Sequence, residues 1–145
     1  MFLQKFRRPV QILLGAYWLL IFTLTHTPVK HLPHINVWDK LEHVLAYGGL
    51  ATLVFLTLWL TRPSMVQIGV AVLAIGMMYG AVDEWLQIPV GRDCDLQDWF
   101  ADTTGTAIVV VCLTFVRAKA NSKTENRKSK QLESSKEDKS ERVSL

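Results

Sequence analysis

The stretch MVQIGVAVLAIGMMYGAV at residues 65–82, followed directly by DEWLQ at 83–87, decides the fold. Its uncharged part approaches the ~20 residues that a helix needs to cross a bilayer. Its apolar residues form an unbroken block instead of a stripe on one face, so a helix built from it is apolar all round and belongs in lipid. Three more uncharged blocks lie at 9–25, 45–61 and 103–116. The last is short for a span, so a helix of ~20 residues there has to take in Asp102 or Asp98. The expected fold is all-α, an integral membrane four-helix bundle.

The formal charge of +3 at pH 7 does not point to nucleic acid, because the basic residues stand outside the apolar blocks and mark topology instead. With both termini cytoplasmic, thirteen of the 16 Lys and Arg residues fall inside, and only Lys30, Lys40 and Arg92 outside. No small-x-small cleavage pattern follows Thr25, so the first block is expected to stay as a helix. The resulting organisation is a cytoplasmic N-terminus at 1–8, a transmembrane domain at 9–117 and a cytoplasmic tail at 118–145. The tail is rich in Lys, Glu, Ser and Asn and nearly free of large apolar residues, which points to disorder. The alternative is a charged extension of the fourth helix. Cys94 falls in a loop, and Cys112 reads as a small core residue with no disulfide partner.

Local signals place the helix ends. Pro9 suits a first helical turn, and Pro28 ends the first helix. Helix two begins at the polar turn Asp39–His43, Ser64 is a plausible cap for helix three, and Asp95 or a neighbour caps helix four. The connector at 61–64 forces helices two and three antiparallel.

This arrangement brings the ionisable residues to one membrane face. Asp39, His43 and Tyr47 stand at i, i+4 and i+8 on helix two, and Gly80, Glu84 and Gln87 share a stripe on helix three. Asp95, Asp98 and Asp102 do so on helix four. A carboxylate inside a span costs about 2.5–3.5 kcal/mol on the lenient insertion scale, so Asp98 and Asp102 should face the bundle interior with partners. The bland counterparts are a favourable charge at a helix N-terminus for Asp39, an interhelical clamp for Glu84 and Gln87, and neutralisation of nearby carboxylates for Arg92. Asp83, Asp93 and Glu42 read as exposed or rim charges, and His31 and His34 as solvated loop residues. Gly48, Gly49, Gly76 and Gly80 read as places where helices approach closely.

The run Asp39-Lys40-x-x-His43-x-x-x-Tyr47, then Gly80-x-x-x-Glu84-x-x-Gln87, then Gly91-Arg92 with Asp98 and Ala101-Asp102-x-x-Gly105, resembles the VanZ-like membrane family over residues 10–116. Asp102 stands where that family often has Asn. The resemblance implies a small polytopic membrane domain with polar motifs near one face and an association with resistance to a lipophilic glycopeptide antibiotic. The expected function is therefore a cell-envelope binding or accessory protein. Its outer-face pocket comprises Asp39, Lys40, His43, Tyr47, Glu84, Gln87, Arg92, Asp98 and Asp102. Expected partners are membrane lipids and an envelope glycan precursor or lipophilic antibiotic, without nucleic acid. The alternative is a membrane-embedded hydrolase or transferase using the Asp/His/Glu cluster. No cofactor is expected, and no metal, since Lys40 and Arg92 stand close enough in sequence to neutralise two of the carboxylates.

Overall fold

A computed structural model describes residues 3–27, 36–61, 64–92 and 94–143, with side chains for 5–27, 40–61, 64–92, 94–131 and 133. Among the described residues, a short 3-10 turn at Leu3–Phe6 is followed by four α-helices: α1 (Arg7–Thr25), α2 (Asn36–Trp59), α3 (Met65–Gln87) and α4 (Leu96–Val143). All four are long and apolar enough to cross a membrane. The protein is an all-α membrane bundle, as its apolar blocks require.

The helix ends follow from identifiable residues. Ser64 closes a capping box on α3, accepting from the Gln67 N–H at 3.3 Å while its own N–H donates to Gln67 Oε1 at 3.0 Å. At the far end, Pro89 sits in a 3-10 turn at Ile88–Val90, and Gly91 adopts the left-handed conformation with φ 78°. That geometry suits glycine and lets the Arg92 N–H return to the Gln87 carbonyl at 3.2 Å. Asp95 starts α4 by accepting from the Gln97 N–H at 2.9 Å. Helix α2 begins at Asn36, slightly ahead of the expected Asp39.

The chain divides into two compact units, Met1–Val111 and Cys112–Leu145. In the first, the apolar core is built from Tyr47, Leu50, Ala51, Val54 and Phe55 of α2, Ile68 and Val72 of α3, Val110 of α4 and Ile21 of α1. Outward faces carry large apolar side chains such as Ile12, Leu19, Leu45, Val66, Met78, Ile108 and Val111, the surface expected against lipid tails. Small residues set the spacing. A Cβ on Gly76 would stand 2.6 Å from Thr106 Oγ1, one on Gly80 3.1 Å from Asp102 Oδ2, and one on Gly49 would collide with the Tyr17 hydroxyl. The Tyr17 hydroxyl donates to the Ala46 carbonyl at 3.2 Å and pins α1 to α2.

Two expectations from composition need correction. In the second unit the chain is helical to Val143, and its described side chains from 118 to 131 are exposed. Lys, Glu, Arg, Gln and Ala are strong helix formers, so the backbone can hold a helix without a core, the outcome the disorder reading set aside. Cys112 is exposed, not a core residue.

Candidate functional site

Among the described residues, seven polar or charged ones are buried at one end of the bundle or just below it: His43, Asp83, Glu84, Gln87, Asp98, Asp102 and Thr106. They lie where α2 and α4 begin and where α1 and α3 end, so antiparallel order does bring the predicted stripes to one level.

The centre is His43. Its Nδ1 lies 2.8 Å from Asp102 Oδ1, and its Nε2 stands 3.9 Å from Asp98 Oδ2. A carboxylate against Nδ1 fixes the ring orientation and favours the tautomer that presents Nε2 to the other side. Asp102 is itself held by the helix packing around Gly80 and by Thr106, whose hydroxyl donates to the Asp102 carbonyl at 2.9 Å.

Lys40, one turn before His43, donates to Asp95 Oδ2 at 2.8 Å and to Asp98 Oδ1. Asp95 lies just outside the span, and its carboxyl is held below the usual range first by the Lys40 ammonium and then by the Gln97 N–H. Glu84 reaches the same loop from α3, with Oε2 accepting from the Asp95 N–H at 2.9 Å. Gln87 Nε2 donates to Glu84 Oε1 and to Asp83 Oδ2, both at 3.3 Å. One network thus ties the ends of α2, α3 and α4.

Asp83 corrects the rim assignment: it is fully buried. Its Oδ1 accepts from the Thr25 hydroxyl at 3.1 Å and stands 3.8 Å from His26 Nδ1, which brings α1 into the site. The spacing to Gln87 at i+4 was visible in the sequence. Its partners on α1 were not, since neither Thr25 nor His26 carries a charge pattern that marks it.

Of the other expected site residues, Tyr47 is fully buried and stacks on Tyr79 with ring centroids 5.7 Å apart. Arg92 lines a cavity of about 170 Å³ together with Ile21, Leu24, Thr25, Glu42, His43, Ala46 and Tyr47. Of the two roles open to Arg92, contact with an anionic group and neutralisation of nearby carboxylates, it makes no ion pair of the second kind among the described residues. Glu42 is exposed, as expected. The side chain of Asp39, and residues His31, His34 and Asp93, lie outside the described residues.

Comparison of the chain with models of protein families, with curated proteins and with solved structures gave no match.

Proposed function

We propose that the protein is a multi-pass binding protein of the cell envelope that holds the headgroup of an anionic lipid, or of a lipid-linked glycan precursor, at the outer face of the membrane. The observation that carries this reading is the cavity between α1 and α2. Ile21, Leu24 and Ala46 give it an apolar side suited to an acyl chain or isoprenoid, and Thr25, Glu42, His43 and Arg92 give it a polar side. Lys40 is committed to Asp95 and Asp98, which leaves the planar fork of Arg92 to meet a phosphate. Size narrows the choice of ligand. At about 170 Å³ the cavity is below the ~300–1,000 Å³ of pockets that enclose drug-sized molecules, so it fits a headgroup with part of a chain and not a whole glycopeptide antibiotic. The resemblance to the VanZ-like family supports an envelope role.

Lipids retained by the detergent-purified protein should include anionic phospholipid, identified by native mass spectrometry. Arg92→Gln and Ala46→Leu should each lower its retention about tenfold, the equivalent of ~1.4 kcal/mol, with membrane levels unchanged. Equal retention of the same lipid by wild type and both variants would sink the reading.

The outer-face placement rests on both termini being cytoplasmic, as the distribution of Lys and Arg suggests. A reporter enzyme active only outside the cytoplasm should give signal when fused after Pro89 and none when fused after Arg117. The opposite pattern moves the cavity to the inner face.

A second reading, a membrane-embedded hydrolase or transferase, has one observation in its favour. The His43 imidazole is oriented by a buried carboxylate, the arrangement that general bases require. Turnover of a phosphorylated lipid by the purified protein, lost in His43→Ala, would promote it.

A further inference from the structure

We propose that His43, Glu84 and Asp98 bind a single divalent transition-metal ion, of the zinc or manganese class, with Asp102 as the residue that orients the histidine ligand. This inference does not depend on the identity of the lipid.

One ligand atom from each of the three residues lies within 4.8 Å of the others, and all three side chains are buried. The set joins one imidazole to two carboxylates, a mixture that suits zinc or manganese better than calcium. His43 is prepared in the way metal-binding histidines are, with Nδ1 against Asp102 and Nε2 turned toward Asp98. The 3.9 Å between Nε2 and Asp98 Oδ2 is too long for a hydrogen bond. It is close to the roughly 3.4 Å that separates two ligands held tetrahedrally at about 2.1 Å from one ion. Lys40 occupies Asp98 Oδ1 and leaves Oδ2 for the metal.

Two buried polar atoms beside His43 also bear on the site. Asp102 Oδ2 and the Tyr47 hydroxyl belong to fully buried side chains and have no hydrogen-bond partner among the described residues. A buried polar atom without a partner calls for an explanation, and a cation beside it is one. Charge balance points the same way. Asp83, Glu84, Asp98 and Asp102 are four buried carboxylates, and the one described lysine that reaches them also serves Asp95. The expectation of a metal-free site relied on a second neutralising cation, Arg92, which forms no ion pair among the described residues. Three protein ligands leave a fourth position open, and one of the three, His43, also lines the cavity.

The test is equilibrium dialysis of the detergent-purified, chelator-stripped protein against buffered zinc or manganese, followed by elemental analysis. Wild type should take up one equivalent of at least one of the two metals. His43→Ala and Glu84→Gln should lose that uptake, and Asp102→Asn, which keeps the shape of the side chain, should weaken it ten- to a hundredfold. Uptake by wild type below about a tenth of an equivalent of both metals would overturn the proposal, as would undiminished uptake by His43→Ala. Should a variant fail to accumulate, wild type decides alone: re-adding the metal should raise its melting temperature, and no shift counts against the site.

Discussion

Gly105→Val should leave little folded protein in the membrane. Gly105 is buried on α4 opposite the backbone of α2. A Cβ there would lie 2.9 Å from the Val44 carbonyl carbon and collide outright with its oxygen. A backbone carbonyl cannot rotate aside as a side chain can, so the helices have to separate. Overpacking usually costs about 1–3 kcal/mol, and here the separation also draws Asp102, one turn earlier on α4, away from its 2.8 Å contact with His43. Thermal unfolding in detergent measures the effect. A Cβ added at Gly15 has nothing within 4 Å, so Gly15→Ala is the control and should be neutral or stabilising by up to ~1 kcal/mol. A melting temperature for Gly105→Val within about 2 °C of wild type would show that α2 and α4 do not meet this closely.

Breaking the buried pair from one side should be the other large effect. Asp102→Leu removes the carboxylate against His43 Nδ1, and His43→Leu leaves a fully buried carboxylate without that partner. Each single change is expected to cost about 3–5 kcal/mol, since removing one member strands the other in a low-dielectric setting. The double variant His43→Leu/Asp102→Leu should cost distinctly less than the two singles added together, because neither group is then stranded. Measuring all four proteins in chelator keeps metal out of the comparison. Strict additivity would mean that the two residues contribute separately and that the contact between them does not matter.

Apolar blocks made the four helices legible because lipid leaves a spanning segment no other way to satisfy its backbone. The stripes at His43, Glu84, Asp98 and Asp102 were legible because helical spacing is a local property, and a carboxylate inside a span must turn inward. Pairings between helices were not. Nothing local tells Lys40 that it will meet Asp95 and Asp98, 55 and 58 positions away, in preference to other acids at the same level. Asp83 shows the same limit, since a residue one position off a recognised stripe can serve a different neighbour, here α1. The tail was misjudged for another reason: composition reports whether a segment can build a core, and a helix of good formers can persist without one.

The polar layer also bears on how the chain is made. Taken alone, α4 carries Asp98 and Asp102 in its first two turns and is a reluctant membrane entrant, each carboxylate opposing partition by less than the about 2.5–3.5 kcal/mol of a mid-depth position. The groups that receive those carboxylates, Lys40 and His43, belong to α2, which is synthesised earlier. The last helix therefore reaches the bilayer with its counterparts already in place. Biogenesis has a direction built into the sequence, in which α2 acts as the template that makes α4 admissible.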